Sequence, residues 1–283
     1  MSDGKYIRMP TGVADFDSIL NGGLPAGSVV LLLGDVGAGQ IEFCLTSAAK
    51  IGLVLENPKT LEFFLGHAAK RSKLPEKLSY ITFSKSKQDI LQEVALSFNR
   101  DYHESLVKRL DFQDFSEKYF MRTIVPPHWI QETKSKGLFA GGSSDRTLLE
   151  DFVAFFDENS MNSIIIVDSL TDLTVNESVS FPDLIAVLKG LKRMAKNWKC
   201  LIYLILTDDI LDKKKQQMII DSVDGVLRFE WSKTIHTSNR QRYLYVEKFM
   251  PVLAAMEQER IMRFATLVTS QSGFVVIDTE RVA

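Results

Sequence analysis

Leu31-Leu32-Leu33-Gly34-Asp35-Val36-Gly37-Ala38-Gly39-Gln40-Ile41 has the skeleton of a phosphate-cradling loop with two side chains exchanged. In a working loop of the pattern G-x-x-x-x-G-K-S/T, glycines let backbone N–H groups wrap the phosphates. The Lys reaches the β- and γ-phosphates, and the Ser or Thr hydroxyl ligates Mg²⁺. Gly34 and Gly39 keep the spacing, with Gly37 between them, but Gln40 stands where the Lys belongs and Ile41 where the hydroxyl belongs. A neutral amide carries no charge, and Ile cannot touch a metal.

Two glycines five positions apart are a weak signal alone, and the flanks strengthen it. Ser28 to Leu33 is an apolar, β-favouring run, and Ile41 to Lys50 continues as a helix with Phe43, Cys44, Leu45, Ala48 and Ala49 available for burial. Strand, glycine loop and helix follow in the order the motif requires. Downstream, Ile164-Ile165-Ile166-Val167 closes on Asp168. An apolar strand ending in an acid is the arrangement that sets a carboxylate beside such a loop to hold Mg²⁺, directly or through water. The plainer reading is an Asp capping the next helix.

Outside the loop, apolar strands alternate with helical stretches. Leu78 to Phe83 and Cys200 to Leu206 read as strands, while Gln88 to Phe98, Ser144 to Glu158 and a segment opening at Ser180-Phe181-Pro182-Asp183 read as helices. That alternation predicts a parallel sheet with right-handed crossovers. From Gly225 the pattern changes to strands: Val226 to Trp231, Arg242 to Phe249, Arg263 to Thr269 and Phe274 to Asp278, the last two joined at Ser270-Gln271-Ser272-Gly273. Residues 110 to 142 carry Phe112, Phe115, Tyr119, Phe120 and Trp129 with little periodicity, and read as a long loop packed by its own aromatics.

The chain has 283 residues, 45% hydrophobic and 25% charged, enough to bury one full core, so residues 1–283 are expected to form a single domain. No apolar run approaches the ~20 residues of a membrane span, and a cytoplasmic protein is expected. Cys44 and Cys200 lack metal-ligand spacing and read as buried free thiols. The net charge of −2 speaks against a nucleic-acid coat, so Lys213-Lys214-Lys215 reads as a solvated run.

On these residues the chain resembles the KaiC-like branch of the RecA-fold ATPases, a branch common in archaea. Thr11-Gly12-Val13 through Leu20-Asn21-Gly22-Gly23-Leu24-Pro25-Ala26-Gly27-Ser28 is similar to the family's opening before its phosphate loop. Asp168-Ser169-Leu170 resembles its "IDSL", and the stretch from Val223-Asp224-Gly225-Val226 to Gly273-Phe274-Val275-Val276 its closing section. The resemblance implies a RecA-like P-loop fold, with a mostly parallel central sheet flanked by helices and an antiparallel C-terminal extension. It also implies departures. Where active relatives carry two glutamates after the second strand, one activating the attacking water, this chain has Thr82-Phe83-Ser84-Lys85. Where relatives have a Lys and an Arg reaching a neighbouring subunit's γ-phosphate, Lys248-Phe249-Met250-Pro251 keeps only the Lys. An arginine finger supplies ~10³ to 10⁵ in rate.

The expected site is therefore a vestigial nucleotide site of Gly34, Gly37, Gly39, Gln40, Ile41, Asp168 and Lys248, with no catalytic residue and no metal ligand set. Weak, metal-free binding of ATP or ADP through loop amides and the helix N-terminus is the most it should support, without Mg²⁺. The reading is a catalytically impaired subunit, regulatory or scaffolding, in signal transduction. Its expected partner is itself or a related RecA/KaiC-like subunit, with neither nucleic acid nor membrane. Two other readings stand beside it. One is an active ATPase with a rearranged site using Glu42 or Asp172 as base and Lys50 or Lys248 as phosphate ligand; the other is a DNA-associated recombinase paralogue.

Overall fold

The computed structural model describes residues 7–121, 123–130, 146–232, 240–258 and 260–281. In chain order the elements are β1 (Arg8–Met9), α1 (Ala14–Ile19), β2 (Leu24–Pro25), β3 (Ser28–Gly34), α2 (Gln40–Glu56), α3 (Leu61–Leu65), β4 (Lys77–Thr82), α4 (Lys87–Ser97), α5 (Arg100–Arg109), β5 (Leu110–Asp114) and α6 (Ser116–Phe120). There follow α7 (Leu148–Asn159), β6 (Ser163–Asp168), α8 (Leu170–Val175), α9 (Phe181–Trp198), β7 (Leu201–Thr207), α10 (Lys213–Ser222), β8 (Gly225–Trp231), β9 (Arg242–Lys248), α11 (Met250–Gln258), β10 (Ile261–Thr269) and β11 (Gly273–Arg281).

Nine strands form one sheet in the order β11-β10-β9-β8-β3-β7-β6-β4-β5. From β8 to β5 every pairing is parallel, whereas β9, β10 and β11 add antiparallel. The unbroken apolar runs of the central strands follow from burial on both faces. Side chains alternate, so Val30 and Leu32 of β3 join Ile164, Ile166 and Tyr203 in one core, beneath α2, α4 and α5. Val29, Leu31 and Leu33 join Ile165, Val167, Leu204 and the inner faces of α7, α9 and α10 in the other. Each such aliphatic side chain taken fully from water contributes about 1.5–3 kcal/mol.

Local signals set several boundaries. Ser86 with Asp89 opens α4, Thr147 with Glu150 opens α7, and Ser169 with Asp172 opens α8, each as a reciprocal capping box. Helix α7 thus starts after Thr147; Ser144, expected as its cap, lies outside the described residues. The long-loop expectation for 110 to 142 is corrected at its start. Leu110–Asp114 pairs in parallel with β4 as the sheet's edge, where one exposed face and alternating polar residues hid the strand. Phe112 packs on Tyr80 and Phe115 stacks on Phe83, while residues 131–142 are outside the described set. Helix α5 also escaped the sequence reading. Only Tyr102, Ser105 and Leu106 of it are buried, too narrow a stripe to stand out, although Asn99 caps its start.

At the N-terminus, Asp17 of α1 is fully buried and accepts from the backbone N of Thr11 (2.9 Å), the Thr11 hydroxyl (2.7 Å) and Gly12 N (3.2 Å). Burial nevertheless pushes its carboxyl up to about 7. Both cysteines are free and buried. No helix among the described residues is long and apolar enough to cross a membrane.

Candidate functional site

The glycine loop joins the C-terminal end of β3 to the N-terminus of α2, and its backbone is fixed from both sides. Asp208 N, just past β7, donates to Gly34 O (2.9 Å), and Asp35 N donates to Phe229 O of β8 (3.2 Å). Gly39 has φ +119°, a conformation L side chains rarely adopt, and a Cβ there would stand 2.9 Å from the Phe274 ring. Both constraints demand glycine.

Inside the loop, Gln40 is 6% exposed and turns back on its own turn: Nε2 donates to Asp35 O at 3.2 Å. Ala38 N donates to the same carbonyl at 3.1 Å. One loop amide and the side chain at the position a Lys holds in working loops are therefore spent on each other's turn. At the rim, Trp231 N donates to the Asp35 carboxylate (3.3 Å), Trp231 Nε1 to Val36 O (3.2 Å) and Arg242 Nε to Gly37 O (3.2 Å). The Arg242 guanidinium lies 4.3 Å from the centre of the Trp231 ring, a cation–π stack that ties β8 and β9 to the loop.

Asp168 ends β6, level with Thr82 of β4. Two residues before Thr82, Tyr80 points to the same side, and its hydroxyl donates to Asp168 Oδ2 at 2.6 Å. Tyr80 is wholly buried and Asp168 is 8% exposed. Burial raises the Asp168 carboxyl above its ordinary range, against the Tyr80 hydrogen bond and the Lys85 charge. Burial, reinforced by Asp168, likewise pushes the Tyr80 phenol well up, so it stays a donor. Helix capping falls to Ser169 and not to Asp168.

Beside the loop lies a cavity of ≈ 190 Å³ lined by Gly37, Gln40, Ile41, Glu42, Glu93 and Phe98 among others. Glu93 of that wall is paired with Lys85, whose Nζ lies 3.3 Å away. Glu42, in the first turn of α2, already complements the positive end of that helix. The walls thus oppose a polyanion. Nor do the residues fit a loop-bound Mg²⁺: Ile41 offers no oxygen, one oxygen of Asp168 is engaged by Tyr80, and among the described residues no group of three or more His, Cys, Asp or Glu could hold a metal ion.

Of the seven residues singled out in the sequence, Gly34, Gly37, Gly39, Gln40 and Ile41 share the loop, and Asp168 stands on β6, separated from β3 by β7. Lys248 lies elsewhere. Through Val226 it is level with Leu31, about 10 Å along the strand from Gly34. Its Nζ donates to Ile220 O (2.6 Å), Val223 O (2.8 Å) and Asp221 O (3.3 Å), closing the C-terminus of α10. Burial and then neighbouring Lys192 lower its pKa. Among the alternative groups, Asp172 is engaged in the α8 capping box, and Lys50 sits ten residues along α2 from Gln40, about 15 Å away. The sequence reading did not find Tyr80, Trp231 or Arg242. Tyr80 carried a signal, since a polar aromatic in a buried strand needs a partner, but its register against Asp168 is set by β4–β6 pairing alone.

Fold and loop together define a RecA-like P-loop architecture of the KaiC-like kind. Neither a protein-family model nor a curated protein sequence matches the chain. Among solved structures it is similar to the KaiC-like protein PH0186 of the hyperthermophilic archaeon Pyrococcus horikoshii OT3, at 18% identity and a TM-score of 0.58, over 96% of this chain and 99% of that one.

Proposed function

We propose that this chain is a KaiC/RecA-like P-loop protein that has lost nucleotide turnover and acts as a regulatory or scaffolding subunit, in signal transduction, by self-association or by pairing with a related RecA/KaiC-like subunit. One observation carries the reading: the groups that would meet a magnesium-bound triphosphate are engaged by the protein itself. Gln40 closes on Asp35 O and Tyr80 holds Asp168. Charge supports it further, since Glu42 and Glu93 line the adjoining cavity and Lys85 is paired with Glu93. A triphosphate placed there would meet these carboxylates, and among the described residues the cavity wall carries no lysine to offset them. The loop amides are left for weak, metal-free ATP or ADP binding.

Calorimetric titration with ATP and ADP, with and without Mg²⁺, together with a phosphate-release assay, tests the proposal. The expected outcome is affinity no tighter than about 0.1–1 mM, insensitive to Mg²⁺, and no turnover. Micromolar, magnesium-dependent binding with phosphate release would select the rearranged ATPase instead. Salt-dependent retention on single-stranded DNA would select the recombinase paralogue.

A further inference from the structure

A second cavity, of ≈ 500 Å³, lies away from the glycine loop, between α3, the start of α5 and the β10–β11 turn. Its walls are Phe63, Phe64, Asn99, Arg100, Asp101, Tyr102, Gln271 and Ser272, with Lys50 of α2 among them. Most of these are already engaged. Asn99 Nδ2 donates to Gln271 O (2.7 Å), the Tyr102 hydroxyl to Ser272 O (3.3 Å), and Arg100 Nε to Glu104 (2.6 Å), which ties the turn to α5 and leaves a shaped hollow.

Lys50 is the exception. It is 8% exposed, yet among the described residues its ammonium makes no hydrogen bond and no ion pair. Asp15 and Asp17 are near enough to act on its charge, but Asp17 is turned toward Thr11 and Gly12 and neither acid receives a bond from it. Burial lowers its pKa, and the two acids oppose that. A charge this deep requires an acceptor. The cavity is where one can enter. Beside the polar groups, aromatic rings line it: Phe63 and Phe64 form an edge-to-face pair with centroids 4.9 Å apart, and Phe63 is 84% exposed although most other phenylalanines among the described residues lie inside.

We propose that this cavity binds a small organic anion, a single carboxylate on an aromatic body, with Lys50 meeting the carboxylate and Phe63, Phe64 and the Tyr102 ring flanking the ring. A polyphosphate fits less well, because Asp101 shares the wall and Arg100 is held by Glu104. The site is independent of the glycine loop and does not rest on its being inactive.

The test is calorimetric titration of the full chain with phenylacetate, with its neutral counterpart phenylacetamide, and with inorganic phosphate. Phenylacetate should bind at one site with Kd of about 1 mM or tighter, and phenylacetamide about tenfold more weakly or worse. Lys50→Met, which keeps the apolar stem, should weaken phenylacetate by about tenfold or more while leaving the weak phenylacetamide binding unchanged. The comparison of the two ligands on the natural chain needs no variant, so it stands even if Lys50→Met fails to fold. Equal binding of the acid and the amide, undiminished binding by a folded Lys50→Met, phosphate binding without phenylacetate binding, or no saturable phenylacetate binding up to about 10 mM would each overturn the proposal.

Discussion

Replacing Tyr80 by Phe tests the closure of the Asp168 site with a single oxygen. The ring keeps its place against Phe112, at 5.5 Å between centroids, and only the hydroxyl that donates to Asp168 at 2.6 Å is removed. Hydrogen bonds to charged groups contribute about 1.5–3 kcal/mol, and a buried carboxylate deprived of its donor loses that benefit in full. We therefore expect a loss of about 2 kcal/mol at neutral pH, which at about 2–4 °C per kcal/mol lowers the melting midpoint by roughly 4–8 °C. The pH dependence carries the diagnosis. Asp168 titrates above its ordinary 3.8 in the folded protein, so stability falls as pH rises from the unfolded value toward the folded one. Removing Tyr80, which favours the charged form, raises the folded value further. The cost of Tyr80→Phe should thus be small near pH 4 and grow toward about pH 8, by about 1 kcal/mol or more, in urea unfolding curves. A loss below about 0.5 kcal/mol, or one equal at both pH values, would refute the reasoning.

Gly39→Ala should cost about 2–4 kcal/mol in urea unfolding, because φ +119° is strained for Ala and its methyl would press on Phe274 at 2.9 Å. A near-neutral result would mean that the C-terminal hairpin does not pack on the loop. Asp17→Asn should destabilise by about 1–3 kcal/mol, since its NH₂ would face donors from Thr11 and Gly12. Because the natural carboxyl rises from 3.8 to about 7 on folding, the wild-type chain loses stability as pH climbs across that window. Asparagine does not titrate, so the gap between variant and wild type should narrow between about pH 5 and pH 8; a constant gap would rule out titration at Asp17.

Periodicity made the parallel sheet legible, because a strand buried on both faces is apolar along its whole interior, as in Val29 to Leu33 of β3 and Ile164 to Val167 of β6. It failed at the edges. Strand β5 pairs on one side only and buries Leu110 alone among its five residues, so Phe112 and Phe115 read as an aromatic loop although they pack on Tyr80 and Phe83. Helix α11 was missed for a related reason, lying between two strands with little room for a repeating stripe.

The loop shows the same division more sharply. Which residue types stand at 40, 41 and 168 is a property of the chain alone, and from it follow the lost ammonium, the lost hydroxyl and the retained carboxylate. Where those groups turn was decided by packing. Tyr80 meets Asp168 because parallel pairing sets Thr82 against it, and Trp231, Arg242 and Phe274 reach the loop and its helix from sequence distances near 200 or more because the C-terminal strands wrap over α2. Local sequence encodes dihedral preference and burial period, which act over a few residues. The partners of a buried polar group are chosen by the whole folded surface around it, and no window of the chain contains them.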